Sequence, residues 1–425
     1  MHIGTRLKEL RNLKGMTQTK LSHGITSASH YSNIEGGHFA TSQDILVLLA
    51  KRLSVPSTYL TNAYVNDKEI TTLLGQYEDL LDEDRLEEVT SFRNVHVKSF
   101  TYIHSLHQEL YFRLLRCLEL FKARNFDEFN QYYLGKVASH IDQDALHNLN
   151  ITIRSKYNYI SGLHHYCSNN FQDCIPFFIE VLKTNEDPFL HAKLNFNIAL
   201  AHFRLHRYTE SLIFVEKAKE KHLNLHNWEK TAECYNLMAV LYRLSKNYEA
   251  AEIYITKGIS ILNNDESKKT YSILLHNLAL IHTKKEQYNL ALTIIDKCIL
   301  LKKIYISTDL FISYWLRLDI LLKLKDTTEI TNNIELVRSS CTSNLDKIHL
   351  QVIEGKLFYL QCRYTDFEKL IQASIDYYFK HENWNHLKDL TVEFAEYYAE
   401  RKQYKKAYEL NKMCLLAVKK IDREL

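Results

Sequence analysis

Apolar residues return every three or four positions along nearly the whole chain, the spacing of amphipathic helices that each bury one stripe. In the first segment that stripe is Ile3, Leu7, Leu10 and Leu13, closed by Gly15. Farther on, a longer period is laid over the short one. A small residue and an aromatic stand nine positions apart six times, about once every forty residues: Gly162 and Phe171, Ala199 and Tyr208, Ala239 and Tyr248, Ala279 and Tyr288, Gly355 and Tyr364, Ala395 and Tyr404. Three residues past the small one come His165, His202, Tyr242, His282, Phe358 and Tyr398. This predicts a helix-turn-helix repeat, in which the small residue lets two antiparallel helices approach and the aromatics pack where one turns into the next. A weaker unit fits Cys117 and Phe126, and the unit expected near residues 305–343 has lost the signature. About eight helix pairs follow, enough to bury a core that single repeats cannot.

The fold class is therefore all-α: a short N-terminal module, then a right-handed α-solenoid of tetratricopeptide (TPR) type. The 425 residues include 10 Gly and 3 Pro, so few positions break a helix. We expect a head over residues 1–62, a helical connector over 63–103 with Glu78–Asp84 as an acidic centre, and the repeats over 104–425. The repeat spacing exceeds that of the commonest TPR, which predicts longer helices.

Charge separates head from body. Residues 1–62 carry seven cations (Arg6, Lys8, Arg11, Lys14, Lys20, Lys51, Arg52) against Glu9, Glu35 and Asp44, an excess of four in a chain whose net charge is +3. A local cation excess suits a polyanion. Eight single cysteines without a CxxC spacing read as reduced thiols of a cytoplasmic protein. No apolar run reaches membrane-span length, the start lacks a signal-peptide h-region, and no membrane partner is expected. Phosphate-cradling glycine loops, nucleophile elbows and zinc spacings are missing, so no enzyme activity, cofactor or metal is expected.

Within the head, Thr17 is a plausible N-cap for a second helix that carries Leu21 and ends near Gly24. A tight turn leads to a third helix with Tyr31 and Ile34 facing inward. Helices from near Thr41 and Pro56 add Leu46, Leu49, Leu53 and Leu60 to the core of a five-helix bundle. This is the order of a helix-turn-helix domain, whose third helix would present Ser27, Ser29, His30 and Asn33 to base edges. Thr17 and Gln18, with the amides of that terminus, would meet a phosphate. Met16-Thr17-Gln18, Leu21 and Ser32-x-Ile34-Glu35-x-Gly37 resemble the Cro/repressor (XRE) class. That resemblance implies backbone contact by Gln18 and base reading after the turn, although the turn here is one residue shorter than the commonest pattern.

In the body, residues two or three before the small one and four or five after it are expected to face the concave groove. They include Asn197, Asn236 and Asn277, then Arg204, Arg243 and Lys284. Asparagine amides can pair with both the N–H and C=O of an extended peptide, and cations suit a carboxylate. The same asparagines would equally join neighbouring helices. His202 and His282 are expected as core histidines.

An XRE-type head on a long TPR body resembles the RRNPP family of Gram-positive quorum-sensing regulators. The resemblance implies a cytoplasmic transcription factor that binds double-stranded operator DNA and a short imported signalling peptide. It also implies a homodimer or tetramer formed through the repeats, with geometry changed by the peptide, and peptide-backbone contacts from groove asparagines. Two alternatives share the architecture: a Rap-like protein that sequesters or dephosphorylates a response regulator, and a phage-type peptide-responsive lysogeny regulator.

Overall fold

The computed structural model describes residues 2–141, 146, 149–262, 268–305 and 310–424, with side chains to 421. Its regular elements are helical, and no strand occurs among the described residues. By spatial clustering the chain forms two compact units, Met1–Asp187 and Pro188–Leu425.

The first unit opens with the five expected helices: α1 (Ile3–Leu13), α2 (Gln18–Ser22), α3 (Ala28–Glu35), α4 (Gln43–Leu53) and α5 (Ser57–Thr61). Leu7, Leu21, Tyr31, Ile34, Leu49, Leu53 and Leu60 are wholly buried among them, with Ile3 and Leu46 nearly so. Leu13 departs from the expectation and is 70% exposed. It occupies the last turn of α1, just before Gly15 takes φ +60° and turns the chain away. The connector is three helices rather than one: α6 (Lys68–Asp82), α7 (Leu86–Val95) and α8 (Val97–Thr101). Two helix pairs complete the unit, α9 (Leu106–Lys122) with α10 (Phe126–Lys136), and α11 (Ile151–Cys167) with α12 (Phe171–Thr184).

The second unit holds six more pairs. They are α13 (Pro188–Arg204) and α14 (Tyr208–Asn224), α15 (Trp228–Leu244) and α16 (Tyr248–Ser260), α17 (Lys268–Lys284) and α18 (Tyr288–Tyr305). After them come α19 (Leu310–Leu324) and α20 (Thr327–Ser339), α21 (Asn344–Leu360) and α22 (Tyr364–Lys380), α23 (Trp384–Glu400) and α24 (Tyr404–Glu424). Many of the first helices run 17 residues.

The nine-residue spacing has a backbone cause. In all six signature pairs the aromatic is the first residue of the second helix. The residue two before it is left-handed: Asn169, His206, Lys246, Glu286, Cys362 and Lys402, with φ between 56° and 62°. The next amide donates to the carbonyl three past the small residue, as Arg207 N does to His202 O (2.9 Å) and Asn247 N to Tyr242 O (2.9 Å). This six-to-one bond is a Schellman turn, which caps the first helix and aims the second back along it. Arg124 and Lys325 repeat the geometry, with Asn125 N bonded to Leu120 O and Asp326 N to Leu321 O. The unit whose signature is lost is thus a complete pair, with Leu318 and Thr327 at the two positions. Residues 306–309, at its start, lie outside the described residues.

In five of the six pairs the residue sixteen past the small one is a buried side chain of the second helix: Phe178, Val215, Ile255, Ile295 or Ile371. A Cβ on Gly162 would stand 2.4 Å from the Phe178 ring, so that position admits only glycine at this approach.

Candidate nucleic-acid interface and peptide groove

In the head, local capping shapes the presented helix. Thr17 Oγ1 accepts from Lys20 N (3.2 Å) and Ser27 Oγ from His30 N (3.1 Å), so both residues are N-caps. Gly24 takes φ +72°, and Ile25 N and Thr26 N both bond Ser22 O, closing the short turn between α2 and α3. Ser27 and Ser29 are exposed, while His30 and Asn33 are half-buried; His30 stacks on Phe39 with centroids 5.8 Å apart.

Glu35, buried at the end of α3, ties three helices together. It accepts from Arg11 Nε (2.6 Å) and Nη2 (3.1 Å) on α1, and from Gln18 Nε2 (2.8 Å) on α2. Burial alone would raise its pKa, but these bonds and the Arg11 charge hold the carboxyl below its usual range. Gln18, expected at a phosphate, therefore spends one amide hydrogen inside the head.

The cation excess is also partly internal. Arg11 serves Glu35, and Arg52 Nη1 donates to Leu21 O (2.8 Å) and His23 O, fastening the end of α2. Arg6 is fully buried. Its guanidinium reaches Glu109 on α9 (2.5 and 3.0 Å) and the carbonyls of Tyr59 (2.5 Å), His104 (2.6 Å) and Ile103 (3.2 Å). Beside it Glu9 meets Arg113 (2.8 Å), Lys136 (2.5 Å) and His140 (2.8 Å). Burial opposes the Glu9 charge, yet these partners hold its pKa far below the ordinary value. This interlock of the head with the first helix pair escaped the sequence reading, which counted Arg6 only among the cations that suit a polyanion. Lys8, Lys14, Lys20 and Lys51 remain exposed.

In the second unit the expected groove residues lie on first helices. Asn197 (α13), Asn236 (α15) and Asn277 (α17) are half-buried; Arg204 and Lys284 are exposed and Arg243 is half-buried. The structure joins two of the asparagines, with Asn277 Nδ2 donating to Asn236 Oδ1 (2.7 Å) across α15 and α17. Each amide keeps unused capacity: both hydrogens of Asn236, and one hydrogen and the oxygen of Asn277. His202 and His282 are buried, the first stacked on Phe214 at 5.5 Å. Asn195, which the sequence reading passed over, is buried and bonds His191 O (2.7 Å) within its own helix. Among the described residues no three His, Cys, Asp or Glu side chains are placed to hold a metal. None of the described helices is long and apolar enough to cross a membrane.

Two family models match the chain, helix-turn-helix over residues 7–60 and tetratricopeptide repeat over 190–264. The transcriptional activator NprA of Geobacillus stearothermophilus is 23% identical over 292 residues, covering 67% of this chain and 68% of its own length. Two solved structures share the fold. The apo quorum sensor NprR from B. thuringiensis aligns with a TM-score of 0.70 at 18% identity, over 83% of this chain and 99% of NprR. NprR in complex with its cognate peptide NprX aligns at 0.57 and 15% identity, over 84% of this chain and 99% of that one.

Proposed function

We propose that this chain, an RRNPP-family regulator by its head, its repeats and its likeness to NprA and NprR, is a peptide-responsive transcription factor. The observation that carries the reading is the pairing of two parts in one molecule. One is a helix-turn-helix head with an exposed α3; the other is a set of TPR-type helices carrying half-buried asparagines with spare hydrogen-bonding capacity. NprA is a transcriptional activator and NprR binds a cognate peptide, and both properties suit these parts.

On this reading Ser27, Ser29, His30 and Asn33 read base edges in the major groove, and Thr17 and Gln18 lie at the backbone. Asn197, Asn236 and Asn277 hold the peptide main chain, with Arg204, Arg243 and Lys284 as cationic contacts. The head is residues 1–62, the connector 63–103 and the peptide-binding, oligomer-forming body 104–425. The protein acts in the cytoplasm as a dimer or tetramer, without a catalytic step. The peptide works by population shift: it binds one arrangement of the repeats better than another, and only that difference re-aims the heads.

The test is selection of genomic DNA fragments by the purified chain, followed by footprinting. The wild type is expected to protect a discrete site, and Asn33→Ala to lose that protection while keeping its circular dichroism and melting temperature. Failure of the wild type to select any fragment would overturn the reading and favour a body that binds a response regulator.

A further inference from the structure

Three residues of α15, Glu229, Asn236 and Arg243, are seven apart, which places them on one face of the helix within about 20° per step. On α17 the residues Thr270, Asn277 and Lys284 have the same spacing. The two stripes face each other. Thr270 Oγ1 donates to Glu229 (2.8 Å) and Asn277 Nδ2 to Asn236 (2.7 Å), both pairs 41 residues apart, and Arg243 and Lys284 are the next pair in the series.

The seam therefore runs from a carboxylate through an amide pair to two like charges. Its cationic end is built up further. Arg243 is half-buried, its Nε is shielded from solvent and has no hydrogen-bond partner, and burial pulls its pKa below the guanidinium norm. His276 is held near a pKa of about 4, chiefly by burial and then by the charges of the buried Lys302 and of Arg243. His276 Nδ1 lies 3.3 Å from Ser313 Oγ. No carboxylate among the described residues pairs with Arg243.

A half-buried guanidinium without a counter-charge, at one end of a polar seam, is an arrangement that a ligand anion completes. Building on the peptide-binding reading, we infer that Arg243, with Lys284, receives a carboxylate of the peptide. The seam thereby fixes the peptide's direction, with its amino end toward Glu229 and its carboxyl end toward Arg243. Geometry sets the length. Glu229 to Arg243 spans 14 residues of α15, about 21 Å, which an extended peptide covers with about six residues. From the asparagine pair to Arg243 is about 10 Å, or about three peptide residues.

The carboxylate can be the peptide's terminus or an acidic side chain near it, and the experiment separates the two. The full chain is mixed with a pool of synthetic heptapeptides of mixed sequence, made once as free acids and once as C-terminal amides. Retained peptides are read by mass spectrometry for the wild type and for Arg243→Met. The inference expects wild type to retain free acids about tenfold or more over amides, the effect of one charge-assisted contact. Arg243→Met should abolish the preference. A role for Arg243 in capping the end of α15 would lower the melting temperature of the variant and leave the preference intact. Equal retention of Asp- or Glu-containing peptides from both pools, lost in Arg243→Met, would assign the carboxylate to a side chain and keep its place at Arg243. Peptides retained by both proteins without any acid preference would overturn this inference and leave the peptide-binding reading standing. Retention of no peptide by the wild type would overturn both.

Discussion

Replacing Arg6 by methionine keeps the side chain's length and removes its charge from a fully buried position. The guanidinium bridges Glu109 and three backbone carbonyls, so the variant strands a carboxylate that is itself 90% buried, together with the oxygens of Tyr59, His104 and Ile103. Breaking one side of such a pair costs about 3–5 kcal/mol. Arg113 Nη2 (2.7 Å) and Tyr59 Oη (2.8 Å) still serve Glu109, which puts the expected loss near the lower figure, about 3 kcal/mol. Urea unfolding followed by circular dichroism measures it. Arg6→Met with Glu109→Gln removes the stranded charge, and the double variant should recover about 1 kcal/mol or more over the single one. A loss below about 1 kcal/mol for Arg6→Met, or strict additivity in the double variant, would refute the buried interlock.

A Cβ on Gly4 would lie 2.1 Å from Ile34 O and 2.6 Å from Glu35 O, so Gly4→Ala should push α1 off α3. Overpacking costs about 1–3 kcal/mol, and the melting temperature should fall; an unchanged melt would contradict the packing. The left-handed turn residues predict the opposite sign. Lys246→Gly and Glu286→Gly relieve a Cβ clash at φ 59° and 61° and should each stabilise by up to about 1 kcal/mol, read as a raised melting temperature. Acid sensitivity follows from His222, His276 and His349, each held near a pKa of about 4 chiefly by burial. The unfolded chain takes up these protons near pH 6.5, so the stability they contribute is full above that pH and lost as it falls toward 4. Thermal melts between pH 7.5 and 4.5 should decline accordingly, and a flat profile would sink the assignment. Asn236→Ala and Asn277→Ala should each weaken peptide binding about tenfold. Because the two amides bond each other, calorimetric titration of the double variant should show less than the sum of the two losses.

The architecture was legible because its period is enforced by a backbone turn. The aromatic starts every signature second helix, and the carbonyl three past the small residue is the acceptor of the Schellman bond, so both recur whatever lies between. The turn itself was not legible, since its left-handed position carries Asn, His, Lys, Glu or Cys and never glycine. The unit near residues 305–343 looked lost because Leu318 and Thr327 stand where the small residue and the aromatic belong, although its backbone turn repeats the others. In the head, the core leucines with Tyr31 and Ile34 followed from helical spacing. Arg6, Arg11 and Arg52 did not, because a cation count cannot tell a buried guanidinium from a solvated one. The asparagine seam was only partly legible. The spacing singled out Asn236 and Asn277, but Asn236 stands three before its small residue and Asn277 two before. Only packing reveals that the two touch and that Glu229 and Arg243 extend their line.

On the proposed function, peptide binding in the repeats changes DNA binding by the head. Fluorescence anisotropy tests it most directly, with a labelled fragment selected by the full chain titrated at fixed salt, with and without a saturating peptide retained by the repeats. The peptide should shift the DNA affinity, and Asn236→Ala should require about tenfold more peptide for the same shift while leaving peptide-free DNA binding unchanged. A DNA affinity indifferent to a bound peptide would contradict it.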